Sequence, residues 1–381
     1  MKPSASAAVR WSERQNAGVA RGAWTLGPAT VLAATLAGLG LAAGGATARD
    51  EGPSANRKLA LSQQVGQLVL LRFRGTTAPA YVRNAVRKRR VAGVILFRDN
   101  VTSPSQLRRL TSTLRREGGR PIVAVDQEGG AVRIVDWAPP AAGAPEQAAT
   151  GQIRVSAQSS ARALRSLGIT LTLAPVADVP SVPGAALASR SFSSSSRLAS
   201  TAMSSAVRGW RAGGVASTAK HFPGLGAARV NTDDASVTIR RSRSQLEATD
   251  LPPFGAAIRA GVPLVMVGHA RYPALDPRRI ASQSPVIIED LLRDRLGFRG
   301  VVVTDSMEAE GSLATGGIAT VSERSVRAGA DLVLLTGQGS YAPVYRHLLA
   351  VAGRSPAFRA RVQESATRVL ALKARGALPP R

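Results

Sequence analysis

Charged side chains recur along this chain at the ends of short apolar runs. They are Asp126 and Glu128, Asp178, Lys220 and His221, His269, and Asp305. A charged group that closes an apolar strand loses hydration unless it is paired, so several convergent ends predict a compensated polar pocket. The alternative is that these residues face solvent at separate strand ends. A carboxylate in such a pocket could stabilise a charge, bind a metal ion or attack an electrophilic carbon.

The residue types favour a carbohydrate ligand over a metal ion. Carboxylates accept hydrogen bonds from sugar hydroxyls, whereas Lys and Arg donate to them. Paired acids acting on an acetal are the pattern of glycoside hydrolysis. The three histidines have no regular spacing and the chain has no cysteine, so a metal centre is weakly supported. We therefore expect a carbohydrate substrate, no metal and no cofactor.

Eight apolar, β-branched runs supply the strands that must position these side chains. They are residues 65–71, 91–97, 121–126, 169–176, 215–221, 264–269, 300–305 and 332–336. Segments with helical spacing separate them, such as residues 106–117, 157–167, 197–212, 244–260, 285–296 and 323–328. This alternation predicts a parallel sheet covered by helices. Eight repeats without a second composition zone favour an α/β fold closed as a (β/α)₈ TIM-type barrel, whose chemistry lies at the carboxyl ends of the strands.

Length and composition set broad limits. The 381 residues suit one barrel with an appendage, or two ordinary domains. A hydrophobic content of 44% excludes wholesale disorder. The absence of cysteine excludes disulfides, thiolate zinc sites, a cysteine nucleophile and the usual bacterial lipoprotein anchor.

Residues 1–48 are typical of an export signal. Four basic residues and one acid precede an Ala/Leu/Gly run over residues 24–46, and the segment 46–48 (ATA) offers the small residues that a signal peptidase reads. A retained membrane anchor and an ordinary buried helix are the alternatives. We expect a signal peptide or anchor over 1–48, a linker over 49–60 and one catalytic barrel domain over 61–381. Export places the barrel outside the cytoplasm, either secreted or anchored to the outer face of the cytoplasmic membrane.

The charge balance predicts affinity for anionic surfaces. Fifty Lys and Arg residues against 24 Asp and Glu residues give a net charge of +26. Aromatic residues make up 4% of the chain and no basic stretch is interleaved with them, so a specific nucleic-acid partner is not expected. An anionic cell-wall polymer is a candidate partner, and a membrane is one if the N-terminal segment is retained.

Seven motifs occur in order between residues 93 and 305. They are GVILF (93–97), VDQEGG (125–130), APVAD (174–178), RSF (190–192), KHFPG (220–224), VMVGH (265–269) with YPALD (272–276), and GFRGVVVTD (297–305). Together they resemble family 3 glycoside hydrolases, in their single-barrel β-N-acetylhexosaminidase branch. The resemblance covers most of the chain from about residue 61 to residue 335.

The resemblance implies roles for individual residues. Asp305 matches the aspartate that attacks the anomeric carbon to make a glycosyl-enzyme. The residues that match those holding the sugar hydroxyls in the innermost subsite are Asp126, Arg190, Lys220 and His221. Glu128 and His269 match supports or walls of the substrate pocket, with direct contact to the sugar as the alternative, and His269 is counted among the substrate-binding residues. The nucleophile must stay ionised, and a nearby Lys or His would favour the ionised form of Asp305 through its opposite charge and its hydrogen bonds.

The chain departs from the family pattern at two places. The family's mobile loop carries Asp-Ser-His, whose Asp and His act together as general acid/base, but here Asn231 and Asp233 fall on those positions. Asp233 or Asp234 could then be the acid/base, with a raised pKa, or the loop is catalytically silent. In addition, Ile134 replaces the second arginine of the usual Arg-Val-x-Arg, which weakens the expectation of N-acetylglucosaminide specificity.

Three functions follow from these observations. The first is a secreted retaining glycosidase that cleaves a β-linked amino sugar or related glycoside through a covalent aspartyl intermediate. The second, of a different class, is a catalytically impaired homologue that binds cell-wall glycan. The third is a hydrolase with another sugar preference.

Overall fold

The computed structural model describes residues 59–374. The predicted export signal and residues 49–58 of the predicted linker lie outside the described residues. Within 59–374, no helix combines the length and apolar character needed to cross a bilayer.

The strands of the barrel come from all eight predicted runs. They are β1 (Val69–Arg72), β2 (Gly93–Ile95), β3 (Ile122–Val125), β6 (Leu171–Thr172), β7 (Thr218–Phe222), β8 (Leu264–Val267), β11 (Val301–Ser306) and β12 (Leu332–Leu335). They pair in parallel in the order β6-β3-β2-β1-β12-β11-β8-β7. Parallel bridges from Leu171 to Ala216 and from Val176 to Lys220 close the ring. The predicted (β/α)₈ barrel is confirmed.

Two antiparallel hairpins that the sequence patterns do not predict follow barrel strands. β4 (Gln127–Gly129) pairs with β5 (Val132–Arg133) directly after β3, and β9 (Arg271–Tyr272) pairs with β10 (Asp276–Ile280) after β8. Both lie at the carboxyl ends of the strands, which we call the mouth of the barrel. They are too short for a periodic signal of their own.

Helices alternate with the barrel strands. They are α1 (Leu61–Gly66), α2 (Ala80–Arg87), α3 (Pro104–Arg116), α4 (Ala144–Ala149), α5 (Ile153–Ser166), α6 (Ser196–Gly213), α7 (Arg243–Gln245), α8 (Leu251–Arg259), α9 (Glu310–Leu313), α10 (Ile318–Arg327), α11 (Tyr341–Arg354) and α12 (Pro356–Ala374). The segments Leu246–Asp250 and Val286–Arg295 are π-helical. Each helical segment proposed from the sequence overlaps one of these elements. The first predicted strand began too early, because residues 61–66 are helical.

Side chains alternate between two apolar layers along each barrel strand. In β11, for example, Val301 and Val303 belong to the cluster inside the barrel, whereas Val302 packs in the outer cluster between strands and helices. This is the two-residue period of a strand whose faces are both buried. Val369 and Leu372 of α12 join the inner cluster, so α12 covers the amino-terminal end of the barrel.

A buried carboxylate fixes α12 to the barrel wall. Asp331, fully buried directly before β12, accepts hydrogen bonds from Arg293 at 2.7 Å, from Arg361 at 2.6 Å and from Arg368 at 3.1 Å. It also accepts a hydrogen bond from the backbone N–H of Val302 at 3.0 Å. Arg361 and Arg368 belong to α12, so one carboxylate joins this helix to the barrel strands.

Asp331→Ala should lower the free energy of unfolding by about 3–5 kcal/mol, because three guanidinium groups lose their shared buried partner. Urea unfolding followed by circular dichroism measures the change. Glu364→Gln is the matched control. Glu364 pairs with the same Arg361 and Arg368 but is 50% exposed, so its loss should change stability by less than about 1 kcal/mol. Equal effects of the two substitutions would contradict the role given to Asp331.

Candidate active site

Three charged residues enter the mouth from three different strands. Asp126 follows β3, Lys220 lies in β7 and Asp305 lies in β11. Each is an even number of residues from a side chain of the inner cluster: Ala124, Ala216 and Val303. Strand alternation therefore directs all three side chains toward the barrel axis.

A buried ion-pair network occupies one side of the mouth. Lys220 Nζ lies 2.7 Å from both Asp126 Oδ1 and Glu128 Oε1. Arg190, at the end of the 3₁₀ turn Ala188–Arg190, binds Glu128 through two hydrogen bonds of 2.9 and 2.7 Å. Burial raises the pKa of Glu128, but the charges of Arg190 and Lys220 outweigh it and lower this pKa to about 2. Glu128 is therefore an ionised support that holds two cations toward the pocket.

A second chain of contacts reaches Asp305 through an imidazole. His221 Nε2 lies 3.9 Å from Asp305 Oδ2, while His221 Nδ1 lies 2.7 Å from Asp178 Oδ2. Asp178 is buried and also accepts hydrogen bonds from the backbone N–H groups of His221 and Leu225, at 3.0 and 2.5 Å. Asp178 thus sets the orientation of the His221 ring. Its position at a strand end is visible in the sequence, but that position alone predicts no role for Asp178.

Asp305 lies at the mouth with 14% of its side chain exposed. Burial raises its pKa, but the neighbouring His221 and His269 rings, a hydrogen bond from the Ser306 N–H and the charge of Lys220 bring the pKa below the ordinary aspartate value. Asp305 is therefore ionised and accessible at neutral pH, as a nucleophile must be.

The loop after β7 carries the two carboxylates that replace the expected dyad. Asp233 and Asp234 are both exposed. Asn231 Nδ2 donates a hydrogen bond to Asp233 Oδ2 at 2.8 Å. The backbone carbonyls of Thr232 and Asp233 accept hydrogen bonds from the N–H groups of Gly311 and Glu310, at 2.9 and 3.2 Å. The loop is thereby attached to the segment that follows Asp305.

Gly226 allows the loop after β7 to pass close to the backbone of Val179. A Cβ at Gly226 would lie 1.9 Å from the carbonyl oxygen of Val179, so no other residue fits where the two backbones cross. The Lys220–His221 peptide bond is cis.

Asp233 has a raised pKa. Protein atoms around its carboxyl group displace solvent and raise its pKa, and the negative charge of Asp305 raises it further. His221 and Arg190 act in the opposite direction, and the resulting pKa is about 6. The side chain of Asp233 is nevertheless exposed to solvent.

The side chains of His269 and Ile134 are both buried and in contact with other protein groups. The nitrogens of the buried His269 ring lie 2.8 Å from Ser282 Oγ and 2.8 Å from the Ser306 carbonyl oxygen, which favours a pocket-wall role over direct sugar contact. Ile134 packs in the outer apolar cluster, so this position supplies no polar group to the pocket.

The described residues offer no evident metal centre. Over residues 59–374, no three His, Asp or Glu side chains are grouped as metal ligands. The pocket carboxylates Asp126, Glu128 and Asp178 instead have Lys220, Arg190 and His221 as partners.

The family model for the glycosyl hydrolase family 3 N-terminal domain matches residues 60–372. The chain belongs to glycosyl hydrolase family 3. A β-hexosaminidase from Xanthomonas oryzae pv. oryzae is 35% identical over 280 residues, which are 70% of this chain and 83% of that protein. The sequence resemblance to the single-barrel branch of the family is confirmed.

Two solved structures of family 3 proteins superpose on this chain. A β-N-acetylhexosaminidase from Beutenbergia cavernae has a TM-score of 0.76 and 33% identity, covering 83% of this chain and 99% of its own. A family 3 β-N-acetylglucosaminidase from Paenibacillus has a TM-score of 0.80 and 33% identity. The superposition covers 85% of this chain and 64% of the Paenibacillus chain. This family 3 member is a glycosidase that hydrolyses O-glycosyl compounds, and its substrate is a carbohydrate.

Asp178→Asn should lower kcat/KM by about 10²-fold, because the His221 ring would lose the partner that holds it beside Asp305. A double-mutant cycle with His221→Ala tests whether Asp178 acts through that ring. Asp178→Asn should then cost little in the His221→Ala background. Additive losses in the cycle would show that Asp178 has only a structural role.

Proposed function

We propose that this family 3 enzyme is an extracytoplasmic, retaining β-N-acetylhexosaminidase that works through a covalent intermediate on Asp305. The supporting observation is a pair of carboxyl groups whose pKa values move in opposite directions. Asp305 is held ionised while Asp233 has its pKa raised to about 6. Environments that separate two carboxyl pKa values in this way assign one group as nucleophile and the other as acid.

The reaction has two balanced steps. In the first, an Asp305 oxygen attacks C1, the bond from C1 to the leaving oxygen breaks, and the Asp233 proton moves to that oxygen. In the second, the Asp233 carboxylate takes a proton from water as the water oxygen attacks C1 and the ester to Asp305 breaks. Two inversions at C1 leave the product with the β configuration of the substrate.

The ion-pair network holds the sugar. Lys220 and Arg190 have N–H groups beyond those used by Glu128, and Asp126 has a second oxygen, so each can bind a hydroxyl group. His221 Nε2, between Asp178 and Asp305, is available to the hydroxyl nearest the reacting carbon. Because these groups are already paired, substrate binding does not require them to become ordered.

The preference for an amino sugar rests on the named activities of the relatives. Ile134 is buried where the family has a sugar-binding arginine, so the enzyme has one cationic contact fewer than its branch. We therefore expect weaker discrimination between an N-acetylamino sugar and the plain hexose. Export is supported by the charge and hydropathy pattern of residues 1–48.

The second candidate is a sugar-binding barrel with little activity. The observation that favours it is the carboxylate at position 233, where the family has an imidazole. A barrel without a competent acid would bind glycan through the same ion-pair network but would not release poor leaving groups.

Hydrolysis of 4-nitrophenyl β-N-acetylglucosaminide tests the proposal. We expect release of nitrophenol, with the β-anomer of the sugar detected first by proton NMR. First appearance of the α-anomer would overturn the covalent intermediate. Glycan binding without any turnover would establish the second candidate, and faster cleavage of the matching glucoside would overturn the amino-sugar preference.

A further inference from the structure

Arginine accumulates at the amino-terminal end of the barrel. Each barrel helix runs antiparallel to its strand, so its last turn lies at the end opposite the mouth. The last turns of α2, α3, α5 and α6 carry Arg87, Arg115 and Arg116, Arg165, and Arg211. Cations at these positions are favourable for each helix, because the helix dipole is negative at its carboxyl end. Their common location is a consequence of the fold.

The loops after α2 and α3 extend this charge. We define the basic face as six exposed residues: Lys88, Arg89, Arg90, Arg115, Arg116 and Arg120. Among the described residues, none of the six forms an ion pair with a carboxylate. Glu117, the acid in these loops, lies 2.7 Å from Arg87 instead. The two loops meet, because a Cβ at Gly119 would touch the Arg89 side chain at 3.4 Å.

The arginines around α12 differ from the basic face, because they have carboxylate partners. Around α12, the arginines Arg293, Arg361 and Arg368 share Asp331, with Glu364 nearby. Like charges that remain unpaired on one surface disfavour the folded state, unless a partner neutralises them.

Two of the basic-face arginines occupy backbone conformations that favour glycine. Arg89 has a φ of +56° and Arg120 a φ of +48°. Glycine takes this left-handed conformation without steric penalty, and it is the usual residue after a helix end. The equivalent positions after α3 and α6 do use glycine, at Gly118 and Gly214. Positions 89 and 120 therefore carry a cation where glycine would adopt the backbone conformation with less strain.

The chain enters the barrel beside this face. α1 and Gln67 precede β1, and Gln67 Nε2 donates a hydrogen bond to the Arg89 carbonyl oxygen at 3.2 Å. The sequence upstream of this point includes Arg57 and Lys58, and then the predicted export or anchor segment. The segment that leads into β1 is therefore in contact with the loop that carries Arg89.

We propose that the basic face docks on an anionic phospholipid surface, leaving the mouth free at the opposite end for glycan. Each cation near such a surface contributes attraction, and the attraction is screened by salt. The exposed large apolar side chains of the described residues lie elsewhere, so the contact is electrostatic and not inserted. Beside the face, the Tyr341 hydroxyl donates a hydrogen bond to the Arg90 carbonyl oxygen at 3.0 Å.

Vesicle co-sedimentation of the full chain tests this docking. The probes are phosphatidylcholine vesicles with and without phosphatidylglycerol. The variant Arg89→Gln/Arg90→Gln/Arg115→Gln/Arg116→Gln removes four charges from the basic face. The matched control, Arg74→Gln/Arg98→Gln/Arg240→Gln/Arg278→Gln, removes four exposed charges that follow barrel strands at the mouth. Thermal unfolding checks that both variants fold, and all proteins keep the same N-terminal segment.

We expect the phosphatidylglycerol-dependent affinity to fall at least about tenfold in the basic-face variant and about threefold or less in the control. Added salt should abolish the phosphatidylglycerol-dependent binding of the unaltered chain. Equal losses in the two variants would overturn the proposal, because net charge alone would then explain binding. Basic-face-dependent binding to soluble polyphosphate or duplex DNA, without vesicle binding, would overturn the lipid assignment. None of these binding measurements tests the chemistry at Asp305.

Discussion

Asp305→Asn should lower kcat/KM for 4-nitrophenyl β-N-acetylglucosaminide by at least about 10⁴-fold, the scale on which loss of one member of a catalytic unit acts. The amide preserves size and shape but is a far weaker nucleophile, so no ester to C1 forms at a useful rate. The good leaving group needs little acid assistance, so this substrate isolates the nucleophilic step. Initial rates at low substrate concentration measure the effect.

Two further variants make this result specific to position 305. Asp294→Asn removes an exposed carboxylate from the π-helical segment Val286–Arg295 and should leave kcat/KM unchanged. In Asp305→Ala, added azide has room to attack C1 from the vacated side and should yield the α-glycosyl azide. If Asp305→Asn kept more than about one tenth of the kcat/KM of the unaltered enzyme, Asp305 would be excluded as the nucleophile.

Asp233→Ala should slow substrates with poor leaving groups by about 10²–10⁴-fold and nitrophenyl glycosides far less. Without a proton donor, the leaving oxygen departs as an alkoxide, which is costly for a sugar and tolerable for nitrophenolate. Comparing kcat/KM for chitobiose and for the nitrophenyl glycoside measures the difference. Equal losses on both substrates would remove the acid role from Asp233.

The pH profile provides a second measure of the same group. The acid must be protonated, and its pKa is about 6, so kcat/KM should fall as the pH rises above about 6. Asp305, with its lowered pKa, stays ionised through this range. The alkaline limb should disappear in Asp233→Ala.

Neighbouring substitutions serve as controls for this assignment. Asn231→Ala removes a hydrogen bond that favours the ionised carboxylate, so the alkaline limb should move to higher pH. Asp234→Ala removes a negative charge that raises the Asp233 pKa, so the alkaline limb should move slightly to lower pH while the leaving-group dependence stays unchanged. If Asp234→Ala instead produced the pattern predicted for Asp233→Ala, the acid would be Asp234.

Much of the barrel could be predicted because its strands are buried on both faces. Such strands appear in the sequence as continuous apolar runs, and each of the eight runs overlaps a barrel strand. The hairpins β4–β5 and β9–β10 were not predicted, since strands of two to five residues with mixed polarity have no distinct period. The start of β1 was also misplaced, because Val65 and Gly66 belong to a short buried helix with the same apolar composition.

The sequence alone determined the family, the barrel and the identity of the charged residues at its strand ends, because apolar periodicity and motif order are local properties of the chain. The tertiary structure alone decided how those residues pair. Lys220 meets Asp126 across 94 positions of sequence, and His221 meets Asp178 across 43. The pKa of Asp233 likewise depends on Asp305, from another strand end. Charge interactions depend on distance in space, and ring closure sets that distance.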